Sequence, residues 1–389
     1  KSKFIFQKNL ILLFFLLCLK KKNMLKIKKG ESMENKNMTV LSLNSNSDRL
    51  FFGNSGHGIA RYDVVRYPIF LKLNEKMQGF FWRAKEIDFS QEKRSYDSMT
   101  VSEKFVFTSN LKRQILLDSI QGRAPSLVFL PYCTDPSLEN CILTWGFMES
   151  IHSESYTHIL RAIYPDPSVV FDDLPNIKEI ADCANQISEA YDNMQNNPTK
   201  ENLYLALVAA NALESLRFYV SFACTFSFLE RGLVEGSAKT VKLIARDESE
   251  HLALTQHILK NLAKDDPDYV EIMERNYEKA KHIFLSAAEQ EKAWAKYLFK
   301  NGPVLGLNEK MLCEYIDYLT ARRMKAIGLS PDLSYKGNNP LPWLDKHFSN
   351  TNTQVAPQEV EISSYLSASI LNDMNEAKLS DVWNEKLDV

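Results

Sequence analysis

The sequence is poor in the residues that build tight turns. Only 13 of its 389 residues are glycine, and short alternating apolar and polar runs closed by turn dipeptides are few. Sandwiches and barrels need many such runs, whereas helical domains do not. We therefore predict an all-α fold with a single core, although the length alone would allow two or three domains.

Cysteines with metal-binding or redox spacing are also missing. The chain has no C-x-x-C motif, and it is long, whereas disulfide frameworks are typical of short secreted chains. This pattern favours a reducing cytoplasm as the location of the protein. The six cysteines lie at positions 18, 133, 141, 183, 224 and 313.

The one targeting-like segment is too short to cross a membrane. Its apolar run extends from Leu10 to Leu19, and a membrane-spanning helix needs about 20 apolar residues. Three lysines, beginning at Lys20, follow where a signal peptide would have a cleavage site with small residues. We predict no membrane partner and treat residues 1–45 as a disordered or non-native extension.

Positive charge is concentrated in the same segment. Residues 1–30 carry nine lysines and no acid, and subtracting these charges from the formal net charge of −2 leaves −11 for the rest of the chain. An acidic body without a basic stripe disfavours nucleic acid as a partner.

Apolar residues that recur every three or four positions predict a helical bundle over residues 46–348. Thr100 and Glu103 match a capping box, and the pairs Asp135-Pro136 and Asn197-Pro198 each match an N-cap followed by proline. Residues 349–389 lack this periodicity and are predicted to form a flexible tail. The predicted helices are Tyr62 to about Gly79, Thr100 to about Gly122, Asp135 to about Tyr164, Asn197 to about Glu230, a helix through Leu243 and Leu259, Pro267 to Lys300, and Asn308 to Ile327.

A twelve-residue motif, E-S-x-H-x-x-x-x-x-H-I-L, begins at Glu149 and again at Glu248. In a helix, residues three apart share one face, so Glu149 lies beside His152 and Glu248 beside His251. A single E-x-x-H would favour ordinary surface or core residues. Two copies within one internal repeat favour metal binding.

Two further carboxylates, Asp118 and Glu214, lie in otherwise apolar segments. Carboxylates are rarely buried unless they are paired or bound to metal. Asp118 precedes Glu149 by 31 residues and Glu214 precedes Glu248 by 34, which fits two helix hairpins of similar size. The six residues match the ligand set of ferritin-like di-iron proteins, in which four helices supply carboxylates and two Glu-x-x-His pairs.

Tyr156 distinguishes this site from other dimetal sites. It lies four residues after His152, on the same stripe of one helix. A metal pair that activates O₂ could oxidise this phenol, and dry apolar surroundings would protect the radical. Ordinary bundle core is an equally supported interpretation for the residues that would form these surroundings, Phe218, Phe222 and Ile244.

Six segments occur in a characteristic order along residues 50–366. They are Phe80-Phe81-Trp82-Arg83, Leu116 to Arg123, Glu149 to His158, Arg217 to Cys224, Ala245-Arg246-Asp247-Glu248 and Val355 to Val360. Together they resemble the small subunit of class I ribonucleotide reductase, closest to the bacterial class Ia type.

The resemblance implies a role for each matching residue. The implied ligands of one iron are Asp118, Glu149 and His152, and those of the other are Glu214, Glu248 and His251, with manganese as an alternative metal. The implied radical residues are Tyr156 for the stable tyrosyl radical, Trp82 and Asp247 on the transfer route, and Tyr365 in the tail.

The resemblance also implies how the chain acts. The metal pair would use O₂ to oxidise Tyr156, and the tail would dock to a large (alpha) subunit, where the radical would reduce ribonucleotides. The small subunit would form a homodimer and would bind no nucleotide substrate, in keeping with its lack of a glycine-rich phosphate loop. A di-iron oxygenase or an iron-storage protein could use the same ligands, but neither explains Tyr156, Trp82 and Tyr365 together.

Overall fold

The computed structural model describes residues 40–43, 48–53, 56–331 and 337–348. These residues form helices and turns, and they contain two isolated β-bridges but no strand. The prediction of an all-α fold is therefore confirmed. Most of the predicted N-terminal extension and the whole predicted tail, including Tyr365, lie outside the described residues, so the predicted domain boundaries stay predictions.

Thirteen α-helices and two π-helical turns make up the bundle within the described residues. The π-turns are Pro125–Phe129 and Leu213–Arg217. The helices are α1 (Pro68–Gly79), α2 (Glu92–Ser98), α3 (Val101–Gln121), α4 (Pro136–Ile163), α5 (Ser168–Phe171), α6 (Lys178–Asn196), α7 (Lys200–Ala212), α8 (Tyr219–Leu229), α9 (Glu235–Asp265), α10 (Asp268–Arg275), α11 (Tyr277–Leu298), α12 (Glu309–Ala326) and α13 (Asp345–Phe348).

Side-chain caps mark the first turns of α3 and α4. The Thr100 hydroxyl accepts from the Glu103 backbone N–H, and the Glu103 carboxylate accepts from the Thr100 N–H, which completes the predicted capping box of α3. The Asp135 carboxylate accepts from two backbone N–H groups in the first turn of α4, with proline at the start of that turn. Both predicted starts are confirmed. Such caps satisfy N–H groups that the first turn leaves unpaired.

Three other predicted boundaries are wrong. Helix α1 begins at Pro68, because a residue that precedes proline is disfavoured in helical conformation. Thr199, not Asn197, caps α7, because its hydroxyl accepts a backbone N–H three residues further on, while Asn197 ends α6. The long helix predicted from Pro267 is two helices, α10 and α11, which meet at Asn276.

The core lies around α9, which packs against α4, α7 and α8, while α3 packs against α4 and α8. One helical stretch, Lys200–Leu229, is long and apolar enough to cross a membrane by length and composition, and 94% of its apolar window is buried inside the bundle. A helix that is apolar on all sides forms either a buried core or a membrane span. The burial identifies this stretch as a core helix of the bundle.

Candidate metal centre

The six side chains predicted as ligands come from four helical segments, and each is fully buried. Taking a charged side chain out of water costs several kcal/mol unless a partner compensates for the lost hydration. Four carboxylates in one core therefore need positive charge beside them. The six are Asp118 on α3, Glu149 and His152 on α4, Glu214 on the second π-turn, and Glu248 and His251 on α9.

The potential ligand atoms form two groups that share two carboxylates. Within each group, every atom lies within 4.8 Å of the others, and Glu149 and Glu248 belong to both. The sequence resemblance placed these two glutamates with different ions, whereas the geometry places each of them within reach of both positions. The remaining members are Asp118 and His152 in the first group, and Glu214 and His251 in the second.

Many of these buried atoms have no hydrogen-bond partner in the part of the chain that the structure describes. Buried polar atoms are nearly always paired, so a cluster of unpaired acceptors fits cations. Carboxylate oxygen and imidazole nitrogen are donors that both iron and manganese accept. The residues present therefore fit a pair of such ions. The unpaired atoms are both carboxylate oxygens of Asp118, Oε2 of Glu149 and Glu214, Oε1 of Glu248, Nδ1 of His152 and Nε2 of His251.

Without a bound cation, the cluster shifts the pKa values of its own members. Burial, together with the neighbouring carboxylates, raises the pKa of Asp118 and of Glu214 well above the usual range. Burial alone would lower the pKa of His251, but its hydrogen bonds with Glu149 and Glu248 outweigh burial and raise that pKa to about 9. Protons therefore supply part of the positive charge that the buried carboxylates need. A cation that binds would displace these protons.

Tyr156 lies on α4, one turn after His152, and is fully buried. Its hydroxyl group interacts with the Asp118 carboxylate and has no other hydrogen-bond partner among the described residues. Burial raises the pKa of Tyr156 well above its usual value, and the charge of the nearby Asp118 carboxylate raises it further. The phenol is therefore protonated at neutral pH and lies beside a predicted ligand.

The three residues predicted to surround Tyr156 are buried, as both the shielding interpretation and ordinary bundle core would predict. Phe218, Phe222 and Ile244 are each 0% exposed and belong to the same apolar core cluster as Tyr156. The two phenylalanine rings are stacked, with their centroids 5.8 Å apart. Water has no access to these side chains, a condition that would prolong the life of a radical in this core.

Trp82 and Asp247 connect to the same centre through His152. The indole N–H of Trp82 donates to Oδ2 of Asp247 at 2.7 Å, and Nε2 of His152 lies 3.2 Å from that same oxygen. Since the Asp247 carboxylate accepts hydrogen bonds, Nε2 of His152 is assigned a proton, and Nδ1, which lies 3.3 Å from Oε1 of Glu248, is the nitrogen available to a cation. The indole and imidazole rings also stack, with 6.2 Å between their centroids.

Three residues that form hydrogen bonds to the candidate ligands, directly or through one another, were not predicted from the sequence. The Gln121 amide donates to Oε1 of Glu214 at 2.7 Å, and the Tyr191 hydroxyl donates to the Gln121 amide oxygen at 2.8 Å. The indole N–H of Trp145 donates to Oε1 of Glu149 at 3.1 Å. Trp145 precedes Glu149 by one helical turn, a spacing that could have revealed it. No motif or spacing links Tyr191, on α6, to the site.

Comparison with known proteins gives concordant results. Residues 61–340 match the family model described as ribonucleotide reductase, small chain. The chain is 47% identical over 361 residues to the ribonucleoside-diphosphate reductase subunit beta of Haemophilus influenzae, and the match covers 85% of this chain and 96% of that protein.

Two solved structures share the fold. The ribonucleotide reductase R2 subunit from Clostridium botulinum matches with a TM-score of 0.73 at 23% identity, covering 82% of this chain and 98% of that one. The dimanganese(II)-NrdF of Streptococcus sanguinis matches with a TM-score of 0.62 at 20% identity, covering 74% and 98% of the two chains. Together with the buried carboxylate and histidine groups, these likenesses confirm the predicted ferritin-like bundle.

Proposed function

Because the chain belongs to the small-chain family of ribonucleotide reductases, we propose that it forms and stores a radical on Tyr156. The radical would serve a large subunit that reduces ribonucleoside diphosphates to deoxyribonucleotides. The main observation that supports this proposal is the position of Tyr156. It is a fully buried phenol on the helix that bears two candidate ligands, and the Asp118 carboxylate is near enough for its charge to raise the Tyr156 pKa.

The six buried side chains are proposed to hold two iron ions per chain, with Glu149 and Glu248 as ligands of both. Manganese, which the description of the Streptococcus sanguinis protein names, is the alternative metal. When bound, such a metal pair would supply the O₂ chemistry that can oxidise a phenol by one electron. The unpaired buried atoms of the ligands support this occupancy.

When Tyr156 is oxidised, it must release one electron and its hydroxyl proton. The proposed proton acceptor is Asp118, the first charged neighbour that acts on the phenol. We further propose that Phe218 and Phe222, which are fully buried, help to exclude water and soluble reductants from the phenol.

Trp82, Asp247 and His152 are proposed to carry electrons between the centre and the outside of the bundle. Trp82→Phe removes the hydrogen bond to Asp247 while keeping an aromatic ring. We expect normal metal content but the loss of nearly all reductase turnover, measured with the large subunit and excess reductant. Trp294→Phe is a matched control, because Trp294 is also buried and donates to the side chain of Asn110 at 3.0 Å. Equal turnover in the two variants would reject the relay.

Membership of the family implies a large subunit as partner. We propose that residues 349–389 dock to that subunit, that Tyr365 passes the radical across, and that two copies of this chain form a homodimer. The cytoplasm is the proposed location. The cysteines of the described residues are all free, which supports a reducing compartment.

Electron paramagnetic resonance tests the central proposal. Metal-free protein supplied with Fe(II) and O₂ should bind two ions per chain and develop a tyrosyl radical signal. Metal analysis of protein purified from its native host would distinguish iron from manganese. Protein that is fully loaded with iron and exposed to O₂, yet shows no radical, would reject the proposed function.

A further inference from the structure

We propose that Arg217 is a positioning residue that clamps the π-turn bearing Glu214, and that it thereby controls one of the two metal positions and not the other. The inference rests on the proposed dimetal centre. It assigns Arg217 no contact with metal or substrate, only an effect through the backbone that carries Glu214.

The π-turn interrupts what would otherwise be one regular helix. Residues Leu213–Arg217 lie between α7 and α8, within the continuous helical stretch Lys200–Leu229. A π-turn inserts an extra residue into the helical repeat, so it changes the direction of the side chains in it, and such turns are rare. Such turns occur frequently at functional sites. The direction of the Glu214 side chain therefore depends on how this turn is anchored.

Arg217, the last residue of the π-turn, makes the contacts that such an anchor requires. Its side chain is only 2% exposed. One terminal nitrogen donates to the amide oxygen of Gln186 at 2.6 Å, and the other donates to the amide oxygen of Gln290 at 2.7 Å and to the sulfur of Cys183 at 2.8 Å. The guanidinium group thus ties the turn to α6 on one side and to α11 on the other.

The two glutamine acceptors are themselves held in place. The amide nitrogen of Gln186 donates to the hydroxyl of Ser286, and that of Gln290 donates to the backbone oxygen of Asp182. These bonds direct both amide oxygens towards the arginine. A planar guanidinium group can engage two fixed acceptors at once, whereas a lysine ammonium group is a single point of charge.

Glu214 is consequently held from two sides. Gln121 on α3 binds its carboxylate directly, and Arg217 holds the backbone turn from the α6 and α11 side. Glu214 belongs only to the group of ligand atoms that contains His251, and not to the group that contains Asp118. Loosening the turn should therefore weaken one metal position selectively. A purely structural role would give no such difference between the positions.

Arg113 provides a matched control. It is also buried, at 1% exposed, and it reaches the same two helices through the backbone oxygen of Glu179 on α6 and the carboxylate of Glu291 on α11. Arg113 belongs to the regular helix α3 and not to a π-turn. Replacing it with lysine perturbs a neighbouring buried network in which Arg113 itself makes no hydrogen bond with the turn that carries Glu214.

The test is a titration of full-length, metal-free protein with Mn(II) alone, in which free Mn(II) is followed by electron paramagnetic resonance. Wild type and Arg113→Lys should bind two ions per chain. Arg217→Lys should bind one ion as wild type does, and the other, called the second ion here, about 10- to 100-fold more weakly, the range found when residues that orient metal ligands are removed. Glu214→Gln provides the reference pattern for a damaged second position.

Gln290→Met keeps Arg217 and removes one of its acceptors, so it should weaken the second ion in the same direction but by a smaller factor. If Arg217→Lys fails to fold, Gln290→Met tests the positioning role instead. Unchanged binding of the second ion, or equal weakening of both ions, would overturn the positioning role, even if thermal unfolding showed a loss of stability. If wild type itself does not bind two ions, the proposed dimetal centre fails instead.

Discussion

Tyr156→Phe should abolish the tyrosyl radical and, with it, the formation of deoxyribonucleotides, while the protein still binds two metal ions. The substitution removes only the phenol oxygen, which is the atom that must lose a proton for a stable neutral radical to form. Since the phenol oxygen interacts only with the Asp118 carboxylate among the described residues, the substitution removes at most one buried polar interaction. The free energy of unfolding should therefore change by less than about 1.5 kcal/mol. Resonance spectra, metal analysis and thermal unfolding would measure the three effects.

Tyr269→Phe is the control for this experiment. Tyr269 lies on α10, is 1% exposed, and has a hydroxyl group that finds no hydrogen-bond partner in the described part of the chain. It is not part of the proposed centre, so its variant should form the radical as wild type does. A tyrosyl signal of normal intensity in Tyr156→Phe would show that the stable radical resides on another tyrosine.

Deleting every residue after Phe348 should leave the radical intact but abolish ribonucleotide reduction with the large subunit. All six candidate ligands, Tyr156, Trp82 and Asp247 lie in the described bundle, so radical formation should not require the tail. The predicted tail holds the proposed docking segment and Tyr365. Resonance spectra of the truncated protein, its binding to the large subunit and turnover of the mixture would give the three results.

Tyr365→Phe in the full-length chain separates docking from radical transfer. It keeps the tail, so it should bind the large subunit with wild-type affinity and yet give no turnover. If the truncated protein kept its turnover, the docking role would be wrong. If it lost the radical as well, the tail would instead be needed for the bundle or its metal centre.

Several features of the protein follow from the sequence alone because they depend on residues within a few positions of one another. The caps at Thr100 and Asp135 act over two or three residues, so their patterns locate the starts of α3 and α4. The spacing of Glu149 and His152 puts both on one face of any helix, whatever surrounds it. The internal repeat then made metal binding the favoured interpretation, and the resemblance to a family added roles that spacing could not supply.

Only the tertiary structure decided features that depend on residues far apart in the chain. The bond between Trp82 and Asp247 spans 165 positions, and the placement of Glu149 and Glu248 within reach of both metal positions depends on how α4 packs against α9. The π-turn at Glu214 lies in a sequence whose local pattern predicts regular helix. Its anchors, on α6 and α11, come from elsewhere in the chain. Local periodicity determines which residues share a helix face, whereas packing between helices determines which faces meet.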